Sequence, residues 1–197
     1  MNFLTWMFAF LMLATSVGLL ITRDWRWDLG ILAIQYAGVF WMVHLTWPIG
    51  MAAVKIITGW MVCTVLGIAE AGQAPARWSK IETVWPRGMA FRLLTAGLVI
   101  LVASVFASSL INWLGIINFP SAWGSVLLIG MGLIHLGTTD QPLRMIIGLL
   151  TLMAGFEILY AAVETSILVA ALLAVVNCGM ALVGAYLLNT PVTESSQ

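Results

Sequence analysis

Four stretches of the chain carry no Asp, Glu, Lys or Arg: residues 1–22, 29–54, 93–139 and 165–193. As a helix, an uncharged apolar run of about 18 residues is long enough to cross a hydrocarbon core. The third run has room for two crossings. This constrains the fold more than any other feature, because backbone in lipid must satisfy its N–H and C=O groups internally, as a helix or a closed barrel. The runs are continuously apolar rather than alternating, which argues against a barrel. The expectation is an all-α integral membrane protein. Composition agrees, with 62% of the 197 residues hydrophobic and 8% charged, against about 25% charged in soluble domains. Eight Lys and Arg balance eight Asp and Glu, so no basic face exists for nucleic acid, and no nucleic-acid partner is expected. The start Met1-Asn2 lacks a basic region and a small-residue cleavage site, so the first run is read as a retained helix.

The runs divide into about seven spans, at 2–22, 29–46, 49–71, 90–114, 122–138, 143–163 and 166–188. Thr46-Trp47-Pro48 separates the second from the third, and Asn118-Phe119-Pro120-Ser121 reads as a turn between the fourth and fifth. The polar segments 23–28 and 138–142 read as two more turns. Seven spans place Arg23, Arg26, Arg77, Lys80, Arg87, Arg92 and Arg144 in or beside loops on one side, with no loop Lys or Arg on the other. Basic loops mark the cytoplasmic face, so the N-terminus is expected outside and the C-terminus in the cytoplasm. The chain then divides into three helices over 1–71, a basic interfacial linker over 72–89, a fourth helix and outer turn over 90–121, a three-helix module over 122–188 and a polar tail over 189–197. Leu29-Gly30-Ile31-Leu32 resembles Ile147-Gly148-Leu149-Leu150, which hints at a parallel repeat of spans one to three in spans five to seven.

An ionisable side chain inside a span is costly and is a functional candidate by default. Glu157 lies in the sixth span and Lys55 in the third; Asn177 sits mid-way along the seventh and Gln35 in the second. Glu70 and Glu164 fall at span ends, where water is expected to reach them. At the helical rise, Glu157 lies about 6 Å and Lys55 about 7 Å outward of the middle of their spans. Opposite charges at similar depth can pair if their helices touch. Burial disfavours the charged form of a carboxyl and brings its proton exchange toward neutral pH. An ion path through Glu157, with Lys55 and Asn177 beside it, is thus one reading. The bland alternatives are a protonated Glu157 tying helices together, a Lys55 that only balances an acid, and an Asn177 that only glues helices.

No metal site and no cofactor are expected. Cys63 and Cys178 lie inside apolar runs with no CxxC or Cys/His cluster. His44 and His135 would lie about 20 Å apart along the membrane normal, too far to share one haem. No phosphate loop or nucleophile elbow is present, so the chain is not expected to be an enzyme by itself.

Residues 122–188 resemble the K-type subunit of respiratory complex I and the C-type subunit of multisubunit cation/proton antiporters. Two elements carry the resemblance: the polar turn Thr138-Thr139-Asp140-Gln141-Pro142-Leu143-Arg144 and Gly155-Phe156-Glu157-Ile158 in the following helix. With its added N-terminal spans, the whole chain is similar to the E-type membrane component of hydrogenase-4 and formate-hydrogenlyase-type complexes. The resemblance implies an accessory, non-catalytic subunit of a redox-driven proton or sodium pump in a bacterial or archaeal cell membrane. Its implied partners are antiporter-like and quinone-site or hydrogenase-like subunits, and the bilayer. It also implies that Glu157 joins a lateral polar path. The family's second carboxylate is not conserved in type here, since the nearest residue is Asn177. The rival expectation is a structural anchor or assembly subunit of a respiratory or photosynthetic complex. A self-contained transporter is disfavoured, because only Lys55 and Glu157 place a charge clearly within spans.

Overall fold

The computed structural model describes residues 2–22, 24–72, 89–115 and 117–190. Arg23, the basic linker residues Arg77, Lys80 and Arg87, and the tail from 191 lie outside the described residues. Among those described, the chain forms α1 (Asn2–Ile21), α2 (Trp25–His44), α3 (Ile49–Ala71), α4 (Met89–Leu114), α5 (Phe119–Gly137), α6 (Pro142–Val163) and α7 (Ile167–Asn189), with no strand. Six of them, all but α2, are long and apolar enough to cross a membrane. The chain is a multi-pass membrane protein.

Two helices begin earlier than their apolar runs. Segment 25–28, expected as a turn, is the first turn of α2, because Asp24 caps it by accepting from the Arg26 N–H at 3.3 Å. Likewise Phe119, Pro120 and Ser121 belong to α5, since proline needs no N–H partner in a first turn. α4 closes on Gly115, whose φ of 65° is left-handed and whose N–H reaches the Ile111 carbonyl at 2.8 Å.

The helices pack as two rows. α1, α2 and α3 form one, α5, α6 and α7 the other, and each helix touches its counterpart: α1 on α5, α2 on α6, α3 on α7. α4 flanks the slab against α5. The slab is thus two four-helix squares sharing one edge, α1-α2-α6-α5 and α2-α3-α7-α6, with α2 and α6 as the common wall. Each square has its own core. Met12, Val39, Leu127 and Met131 fill the first, and Leu32, Tyr36, Leu66 and Leu150 the second. The two glycines that suggested a repeat of spans one to three in spans five to seven stand in different surroundings. Gly148 has the His135 side chain 3.1 Å from where its Cβ would stand, whereas Gly30 has nothing within 4 Å.

The turns sort to two ends. At one end the Trp47 indole N–H donates to the Glu164 carbonyl at 3.0 Å, joining the α2–α3 and α6–α7 turns. At the other, Arg144 meets Asp28, and an Arg92 guanidinium N–H donates to the Leu20 carbonyl at 2.8 Å. This second end holds the described arginines and is called the basic end below.

A candidate ion-pair site in the second square

Glu157 on α6, Lys55 on α3 and Asn177 on α7 converge in the middle of the α2-α3-α7-α6 square. The Lys55 Nζ stands 2.9 Å from Glu157 Oε1, and the Asn177 amide N–H donates to the same oxygen at 2.8 Å. All three residues are 1% exposed. Similar depth, legible from residue counting, therefore becomes contact. α3 and α6 lie diagonally across the square, and the four-carbon stem of Lys55 spans the diagonal.

The pair is tight in distance but incomplete in hydrogen bonding. Nζ approaches Oε1 outside hydrogen-bond geometry, and Glu157 Oε2 and Asn177 Oδ1 have no hydrogen-bond partner. α2 closes the fourth side with Tyr36, which is fully buried with an unpartnered hydroxyl. Its ring lies so close over Gly59 that no side chain fits at that position. Gly59 is one turn from Lys55 on α3, so the Tyr36 ring packs on α3 one turn from Lys55. Chemically, such a group can hold a proton on either the amine or the carboxyl. Its free carboxylate oxygen can also accept a proton from a third group.

A second buried pair was not legible as a site. The sequence reads Asp28 as part of a turn and Arg144 as the second residue of its span, beside a loop. Both are in the first turns of their helices, 2% and 7% exposed, with Arg144 Nε 3.4 Å from Asp28 Oδ2. The available signal was the seven-residue spacing from Asp28 to Gln35, which puts two polar groups on one face of an otherwise apolar helix. Glu70 corrects another expectation: it is 7% exposed and thus withdrawn from water, whereas Glu164 is exposed as expected. His135 is buried near the basic end, whereas His44 is half-buried near the opposite one.

Comparison with known protein families, curated proteins and solved structures finds no match to this chain.

Proposed function

We propose that the chain is an accessory membrane subunit of a larger proton- or sodium-translocating redox assembly, and that Glu157 is its ion-exchanging group. One observation carries this reading: a carboxylate, an amine and an amide from three helices meet fully buried, with one carboxylate oxygen left free. Desolvating an ion pair costs several kcal/mol per ion and is often no more stabilising than an apolar contact of the same volume. A chain that spends such a pair at the centre of a helix square gains little stability from it, so a role in moving charge is the better account. The resemblance of Gly155-Phe156-Glu157-Ile158 to the complex I and antiporter subunits points the same way. Under this reading the basic end faces the cytoplasm, and the membrane is that of a bacterial or archaeal cell. Antiporter-like and quinone-site or hydrogenase-like subunits are the partners.

The rival reading, a structural anchor, draws on the same cluster, because Oε1 joins three helices at once. Glu157→Gln separates the two. Glutamine keeps size and hydrogen bonding but cannot exchange a proton. Proton or sodium uptake into vesicles, normalised to assembled complex, should fall in Glu157→Gln and partly survive in Glu157→Asp. Wild-type uptake in Glu157→Gln would leave the anchor reading in front.

A further inference from the structure

The wall shared by the two squares has a heptad register. α2 and α6 both start at the basic end, and Asp28 of one pairs with Arg144 of the other. Seven residues are nearly two full helical turns, so residues seven further along each helix face each other again, about 10 Å deeper. Those residues are Gln35 and Thr151. Another seven bring Met42 and Ile158, and these two do line one crevice, with Thr46, Asn118 and Ser121, at the opposite end. One register thus accounts for the pairing at the basic end and for the crevice at the other.

The middle layer of this wall is polar and unpartnered. Gln35 is 1% exposed, and neither its amide nitrogen nor its amide oxygen has a hydrogen-bond partner. Thr151 is 3% exposed with an unpartnered hydroxyl. Three buried hydroxyls elsewhere in the bundle turn back onto their own helix, those of Thr15, Ser16 and Ser125, which donate to carbonyls three or four residues earlier, while that of Ser121 donates across to Met42 Sδ at 3.5 Å. Thr151 does neither, so its hydroxyl is free for a partner outside its helix. Further unpartnered atoms lie along the same wall: Asp28 Oδ1 and an Arg144 Nη at the basic end, the Tyr36 hydroxyl in the layer of Gln35, and Glu157 Oε2 on α6, about 9 Å deeper than Thr151 at the helical rise. Buried polar groups are rarely left unpaired, and water is their usual partner where several converge.

We propose that the α2–α6 wall is a water-bearing proton route from the basic end to Glu157, with Gln35 and Thr151 as its lining and Tyr36 as the last link. It starts at the Asp28–Arg144 pair, passes the polar middle layer, and turns through the Tyr36 hydroxyl, next in sequence to Gln35, into the second square. The crevice beyond is closed off from this path by the apolar Met42–Ile158 layer, so the route opens to one side only. As a proton path it rests on the reading of Glu157 as a proton-exchanging group; as a hydrated seam it does not.

Two measurements on the assembled complex in vesicles test it. In a Cys63→Ala, Cys178→Ala background, silver ion is added to either face of Gln35→Cys, Thr151→Cys and Leu150→Cys. Modification is read by later labelling of the denatured chain. Leu150 is the control, fully buried at the same depth. Silver should modify Gln35→Cys and Thr151→Cys from the basic-end face and leave Leu150→Cys unmodified. Thr151→Cys reacting no faster than Leu150→Cys, or only from the opposite face, would overturn the route. In the second measurement, the double variant Gln35→Leu, Thr151→Val removes the polar lining at nearly constant volume and should lose uptake, while Thr151→Ser should retain it. Uptake undiminished in the double variant but lost in Glu157→Gln overturns the route and keeps the reading of Glu157. Undiminished uptake in Glu157→Gln overturns that reading, and with it the proton path.

Discussion

Glu157 and Lys55 were legible because each is an ionisable residue in a long apolar run, and helical rise alone set them at similar depth. Their pairing was not legible, because it depends on which helices stand diagonally across the square. The energetics of the pair follow from burial. Removing one charge of a buried pair leaves the other uncompensated, at a cost of about 3–5 kcal/mol. Lys55→Met should therefore lower the thermal midpoint in detergent clearly, and adding Glu157→Gln to it should recover part of the loss. Simple additivity of the two substitutions would mean that the residues do not interact. At the basic end, Arg144→Met strands Asp28 in the same way and should destabilise the chain, whereas Arg26, exposed in the first turn of α2 over the Trp25 ring, should tolerate Met within about 0.5 kcal/mol.

Helix positions were readable to within a few residues, and the errors lay at α2 and α5, where a cap or a proline let the helix start in polar sequence. How closely the helices approach was not readable. α5 and α6 meet through glycines: a Cβ on Gly132 would stand 2.7 Å from the Gly148 carbonyl oxygen, and one on Gly155 would stand 2.6 Å from that of Ser125. Small residues at such crossings let backbones pack closely, which is a main source of association in lipid. Gly132→Ala and Gly155→Ala should each force the pair apart and cost about 1–3 kcal/mol, as overpacking does. Gly30→Ala meets open space and should be neutral or stabilising, by about 0.5–1 kcal/mol from helix propensity. Thermal unfolding of the three variants in one detergent checks the contrast, and equal effects would contradict the close α5–α6 crossing.

At the scale of the molecule, apolar surface faces outward. Leu94, Leu98, Leu101 and Val105 on α4, and Leu168, Leu172, Val175 and Leu182 on α7, are more than half exposed. Lipid covers part of this surface, and the proposed subunit role assigns part of it to neighbouring membrane proteins. Gentle extraction should recover the chain together with larger membrane proteins; a stable lone monomer, under conditions that keep other complexes intact, would count against that role. The proposed orientation has its own test. A reporter active only in the cytoplasm should work when fused after residue 197 and fail when fused at residue 118, and the reverse pattern would invert the topology.

The class, the approximate position of each helix and the two charges within the spans are legible from residue order alone. Those properties are local: run length against bilayer thickness, proline and capping residues at the ends, and an ionisable group that lipid would not accept. Helix packing supplied the rest. It set α2 and α6 side by side, which turned Asp28, read as a turn residue, and Arg144, read at the edge of its span, into a buried pair. It also carried Lys55 across a diagonal to Glu157 and gave Asn177, read as glue or path, the same carboxylate oxygen to hold. The physical reason is that nearly every helix here is apolar all round. In such a chain hydrophobicity fixes where a helix lies along the membrane normal, but the choice of neighbours rests on where backbones can approach and where polar groups can find partners.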